Sequence, residues 1–216
     1  MLADIQARLN RIYGVGSAYD VRDFLITDRA AAEAIGQEAL LEDTEETLLL
    51  REEEGELGVS LFLDARLLER LAHAAPLERL RSHLLADFWK VIEGISHFNC
   101  VVWKASRDRP VSLLELELQA EIDKFVSTVQ LAVSQGEDDI AGRLHGWLFD
   151  DVRFRDDLDD VQRARYVSAN SFAAKYCFGL DRHVAANDAA AMTDLREFYR
   201  LPMSEKISRI RSRAWV

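Results

Sequence analysis

Cysteine is scarce in this sequence: two in 216 residues, Cys100 and Cys177, too few for a disulfide-stapled scaffold. Both sit in apolar helical stretches, which fits buried reduced thiols in a cytosolic protein, with a single disulfide between them as the alternative. Proline is nearly as rare, at three, and no low-complexity linker or internal repeat interrupts the chain. No stretch reaches the roughly 20 apolar residues of a membrane-spanning helix. The first residues, Met1-Leu2-Ala3-Asp4-Ile5, lack the basic-then-apolar pattern of a secretory signal, so a cytoplasmic location is expected.

Positive charge is also in deficit. Lysine and arginine number 27 against 38 aspartates and glutamates, a formal net charge of −11 that argues against nucleic acid and anionic membrane as partners. Charge segregates only locally, in an acidic run over Asp150, Asp151, Asp156, Asp157, Asp159 and Asp160 and a basic end with Lys206, Arg209, Arg211 and Arg213. Both read as solvated faces. Catalytic signatures are missing too. Gly14-Val15-Gly16-Ser17 has neither the full dinucleotide pattern nor a following Gly-Lys-Ser/Thr and reads as a turn. Gly-x-Ser-x-Gly does not occur. No cofactor is expected from motifs.

What is present is amphipathic helix. Leu77, Leu80, Leu84, Phe88, Val91, Ile95, Phe98 and Val102 recur every three or four residues and draw one apolar stripe. Leu114, Leu118, Glu121, Phe125, Thr128 or Val129, and Ala132 repeat the spacing after the turn Arg107-Asp108-Arg109-Pro110, so the stretch 77–135 predicts an antiparallel helical hairpin. Ser112-Leu113-Leu114-Glu115 reads as a capping box that opens the second arm. Earlier, 2–12 reads as a helix, 21–27 as a strand, and Asp28 as the cap of a helix over 29–41. Thr47–Glu52 and Leu57–Asp64 alternate as strands about a Glu53-Glu54-Gly55-Glu56 turn. Asp64 caps a helix over 65–74, and Pro76 suits the first turn of the long arm. Further helices follow around Ile140–Leu148, from Asp159 or Asp160 to Phe178, after Thr193, and from Ser204. The fold class expected is α+β, mainly helical: a small N-terminal antiparallel sheet (1–64) packed on a bundle of four or more helices (65–216), in a single domain.

One residue breaks the stripe. Glu121 in an apolar layer costs several kcal/mol unless paired, and Arg165, in the row Val161, Arg165, Ser168, Phe172 and Tyr176, is the expected ion-pair partner. Such a pair either fixes helix register or floors a pocket with Asn99, His145, Tyr166 or Tyr176. Glu93 and His97, four apart, have the spacing to share a metal, but on a helical wheel they fall opposite the stripe, away from Glu121. His145 reads as a packed side chain, and Trp103, Trp147 and Trp215 as anchors. Two functional classes follow: a non-enzymatic interaction or regulatory protein that self-associates or binds a protein partner through helical surfaces, and a small-molecule-binding or enzymatic bundle with a pocket at Glu121 and Arg165. Replacing Glu121 by Gln distinguishes a structural from a working carboxylate.

Overall fold

The computed structural model describes residues 1–16, 18–36, 44–53 and 55–212. Helix dominates, and a three-stranded sheet lies against one side of the helices. The first helix, α1 (Leu2–Tyr13), buries Ile5, Leu9 and Ile12 and stops at Gly14, whose left-handed φ of 58° closes the helix end. Instead of a strand over 21–27, Asp20 caps a 3₁₀ turn at Val21–Phe24, and only Leu25–Ile26 (β1) pairs. Asp28 accepts from the amide of Ala31 at the start of α2 (Arg29–Gly36); residues 37–41 of the expected helix lie outside the described residues.

Strands β2 (Glu46–Glu53) and β3 (Glu56–Leu63) form the expected antiparallel pair. The sheet as a whole is mixed rather than antiparallel, because β1 joins β3 in parallel, giving the order β1-β3-β2. Asp64 caps α3 (Ala65–Ala74) through the Arg66 amide. The long arm then starts later than its apolar spacing suggests. Ala75 adopts a left-handed conformation, a 3₁₀ turn spans Ser82–Leu84, and α4 runs Leu85–Ala105. Asp108, at φ 50°, turns the chain into α5 (Leu113–Ser134).

The hairpin register is marked by Trp89 Nε1 donating to Thr128 Oγ1 (3.1 Å) and by Lys124 reaching Glu93 (3.1 Å). The Ser112 oxygen accepts the Glu115 amide, as a cap should. Glu115 does not complete the box; its carboxylate goes to Lys104 (2.7 Å) and Lys206 (3.0 Å) in the interior. Helix α5 is the central element, touching α1, α4, α6 (Asp138–His145), α7 (Asp160–Cys177) and α8 (Leu180–Ala185). Both faces of α4 are covered as well, one by α5 and the other by α1 and the sheet. A π-helical turn at Gly146–Asp150 follows α6, and Asp159 with Gln162 forms the capping box of α7. Asp188, not Thr193, caps α9 (Ala189–Arg200).

The last helix, α10 (Met203–Ser212), is docked. Lys206 and Ile210 are fully buried, and Lys206 lies over the rings of Phe198 and Tyr199. Trp215 and Arg213 lie outside the described residues. Lys206 also meets Gln119 Oε1 (3.3 Å), whose amide donates to Asp123 (2.8 Å), and Tyr13 donates its hydroxyl to the same carboxylate. Burial pushes Asp123 up to about 6. Three helix ends converge nearby. Arg196 and Arg200 donate to Ile12 and Gly14 carbonyls, Arg107 to Trp103, and Arg109 to Arg200, so four guanidinium groups satisfy carbonyls at the C-terminal ends of α1, α4 and α9. Cys100 and Cys177 are buried and not bridged; burial raises the Cys100 thiol to about 12, which keeps it protonated.

Candidate functional site

Gly94 sets the geometry of the site. A β-carbon at this position would lie 2.8 Å from Leu61 Cδ1 and 3.0 Å from Cγ and Oε1 of Glu46, so glycine leaves room for these two sheet side chains against α4. The contact brings Glu46, at the start of β2, onto the α4 face that carries Glu93 and His97. Helix α5 adds Glu117, Glu121 and Lys124 at one-turn spacing, and α7 adds Arg165 and Tyr166.

These groups form one cluster. Carboxylate oxygens of Glu46 and Glu93 and a ring nitrogen of His97 all lie within 4.8 Å of one another. His97 Nδ1 is 3.8 Å from Glu46 Oε1, and its Nε2 is 3.7 Å from Glu117 Oε2. Lys124 donates to Glu93 (3.1 Å) and to Glu121 (2.7 Å), and Arg165 Nε lies 3.6 Å from Glu117 Oε1. His97 and Glu117 are each 8% exposed. Among the described residues, Glu46 Oε1, His97 Nε2, Glu121 Oε2 and Arg165 Nε are buried without a hydrogen-bond partner. Four unfilled polar atoms in one place are unusual for a protein interior.

The electrostatics are equally unbalanced. Four carboxylates face two permanent cations, Lys124 and Arg165, leaving two negative charges over if all ionise. Burial, then the nearby Glu93 and Glu117, raises Glu46 well above the ordinary carboxylate range. Burial with the Glu93 charge beside it raises Glu117 to about 8. Burial also raises Glu121, outweighing Lys124. Burial opposes the charged form of Glu93, yet Lys124 and His97 hold it below its usual value. Burial outweighs the neighbouring Glu93 at His97 and lowers its pKa, keeping the imidazole neutral and able to ligate. At Lys124 the carboxylates win over burial, and its pKa rises. At neutral pH the cluster therefore balances its charge by holding protons on carboxyl groups.

The cluster floors a cleft of about 470 Å³. Its lining includes Leu48, Leu50, Leu113 and Leu158 together with Arg155, Gln162, Arg165 and Tyr166.

The expected Glu121–Arg165 ion pair is not formed. Glu121 pairs with Lys124 on its own helix, and Arg165 approaches Glu117, one turn earlier on α5. Glu93 and Glu121, placed apart by the helical wheel, are joined through Lys124: a wheel gives directions from one axis but not the reach of a long side chain between helices. Of the other expected pocket residues, Tyr166 lines the cleft and the remaining three lie elsewhere. His145 Nε2 meets the Ala174 carbonyl (3.0 Å), with the ring packed edge-on to Phe125, Phe149 and Phe178. Tyr176 stacks on Phe198 and donates to Asp194 (2.8 Å). Asn99 accepts from Gln6 (3.1 Å) and lines a separate cavity beside Trp103. Val161, expected in the core row of α7, is 76% exposed.

Sequence reasoning missed Glu46, Glu117 and Lys124. Glu117 and Glu121 stand one turn apart, a legible signal on α5. Glu46 has none, because only the close approach at Gly94 brings it there.

Fold and site define a mainly helical α+β protein in which a sheet carboxylate completes a buried carboxylate–imidazole–lysine cluster under an open cleft. No protein-family model, curated protein or solved structure matches the chain. Among the described residues no helix is long and apolar enough to cross a membrane.

Proposed function

We propose that the protein is a metal-dependent small-molecule-binding protein, with a divalent cation held by Glu46, Glu93 and His97 and with Glu117 within reach of the same imidazole. The observation that carries this reading is the convergence of ligand atoms from Glu46, Glu93 and His97 within 4.8 Å of one another, with Glu46 Oε1 buried and without a partner, in a cluster whose four carboxylates face two permanent cations. A divalent ion takes the place of the protons that balance these carboxylates and gives Glu46 Oε1 its absent partner. Carboxylate oxygens with one imidazole suit Mn²⁺, Fe²⁺ or Zn²⁺ better than Cu(I), which prefers sulfur, or Ca²⁺, which prefers oxygen alone. The cleft beside the cluster leaves room for substrate or water on the ion, as in catalytic rather than structural centres.

Binding of a protein partner through exposed helix faces, or self-association, has less support. Among the described residues, two of the eight exposed large apolar side chains, Leu50 and Leu113, line this cleft.

The test is calorimetric titration of chelator-treated protein with Mn²⁺ and Zn²⁺. One ion per chain is expected, with affinity reduced at least about tenfold by His97→Ala or Glu93→Gln and little affected by His145→Ala. Absence of stoichiometric uptake, or uptake insensitive to His97 and Glu93, would overturn the proposal.

A further inference from the structure

Resting on that metal reading, we infer that the ligand of the cleft is an amphipathic oxyanion, a carboxylate or phosphate head carrying an apolar chain, admitted only when the ion is in place.

The head-group argument starts at Arg165. Its Nε is buried without a hydrogen-bond partner, and its nearest carboxylate, Glu117, stands at 3.6 Å, too far for a good hydrogen bond. A guanidinium presents a planar fork that matches carboxylate and phosphate oxygens. This one lies over the Tyr166 ring, 5.1 Å from its centroid, and lines the cleft. An oxyanion lying between the ion and Arg165 fills the open coordination position and the unused donor together. Without the ion, the oxyanion loses its coordination bond and keeps only the Arg165 contact at this end of the cleft. The ion is therefore the gate for the ligand.

The chain argument comes from the leucines. Leu50 and Leu113 are 45% and 56% exposed, and they stand with Leu48 and Leu158 along the cleft. Large apolar side chains left open beside a charged floor fit a ligand with two chemically different ends. A cleft of about 470 Å³ is of small-molecule size.

The experiment is calorimetric titration of Mn²⁺-loaded protein with butyrate, hexanoate, octanoate, octyl phosphate and octylamine, repeated on metal-free protein. The inference expects octanoate or octyl phosphate to bind, and which of the two binds more tightly identifies the head group. Affinity should rise by up to about fourfold per methylene, the value of apolar burial. Octylamine should not bind, and neither oxyanion should bind the metal-free protein. Arg165→Met should lower oxyanion affinity at least about tenfold. Leu113→Asp, at an exposed first helical turn that tolerates an acid, should abolish the chain-length dependence while Mn²⁺ uptake is retained. If Mn²⁺ binds but the oxyanions do not, or octylamine binds as well as they do, the inference falls and the metal reading stands. If Mn²⁺ does not bind, the metal reading falls, and an oxyanion that still binds shows that the ion is not its gate.

Discussion

Replacing Glu117 by Gln should make the metal-free protein more stable, and by an amount that grows with pH. In the folded chain burial holds the Glu117 carboxyl up to about 8, against an ordinary value of 4.5. Below pH 4.5 both folded and unfolded states are protonated and the side chain contributes nothing to the balance. Between 4.5 and 8 the unfolded chain ionises while the folded chain keeps its proton, so stability falls by about 1.4 kcal/mol per pH unit. The accumulated cost is about 3 kcal/mol at pH 7 and levels off near 5 kcal/mol above pH 8. Glutamine has nearly the same shape and cannot ionise, so Glu117→Gln removes this cost. Losing the 3.6 Å approach of Arg165 subtracts about 0–1 kcal/mol from the gain. Urea unfolding in excess chelator at pH 4.5, 7 and 9 measures it: a gain near zero, then about 3, then about 4–5 kcal/mol. Saturating Mn²⁺ should shrink or invert the gain, because the ion favours the charged carboxylate. A gain that does not change with pH would refute the reasoning, since it would mean that Glu117 titrates alike in both states.

Three further outcomes follow from the packing. Gly94→Ala should change stability little, a net loss of about 0–2 kcal/mol, since overpacking against Leu61 is offset by alanine's better helix propensity. Metal affinity measured by calorimetry should nevertheless fall about tenfold or more, because Glu46 is pushed off α4; unchanged affinity would contradict the role given to this contact. Tyr13→Phe leaves the buried Asp123 without one of its donors and should cost about 1–3 kcal/mol in urea unfolding, a loss under about 0.5 kcal/mol counting against it. Lys206→Ala removes a fully buried cation from Glu115 and should cost about 3 kcal/mol, with amide exchange over 203–212 accelerating most; uniform loss of protection would show that α10 is not held by this side chain.

The parts of the fold that could be read in advance were those governed by local rules. Serine at 112 and aspartates at 28, 64 and 159 satisfy orphan amides at helix starts, so these four starts lay in plain view. The apolar repeat of α4 gave the hairpin, since period and turn position follow from the chain itself. Boundaries slipped where apolar spacing runs on through non-helical backbone, as at Leu77 and Leu80 before α4, or where a residue such as Asp188 caps one turn before the expected Thr193. The parallel pairing of β1 depends on which strand lies beside it in space, and a two-residue strand leaves almost no pattern.

The site followed the same division. Glu93 and His97 were identifiable from spacing, and Glu121 from its misfit in an apolar row. Their partners depend on distances between elements far apart in sequence, and the assignment of Arg165 to Glu121 failed by one helical turn. In that turn Glu117 had taken the guanidinium and Lys124 had taken Glu121.

Because Glu46 belongs to the sheet while Glu93 and His97 belong to the bundle, the proposed ligand set exists only in a finished molecule. A nascent chain emerges with Glu46 first, and it must wait for α4 and for docking at Gly94 before the third ligand is in place. Metal capture would therefore come late in folding and act as a rivet across the seam between sheet and bundle, so that withdrawing the ion loosens that seam first. In a partly starved population, protease sensitivity along β2 would then count the empty molecules.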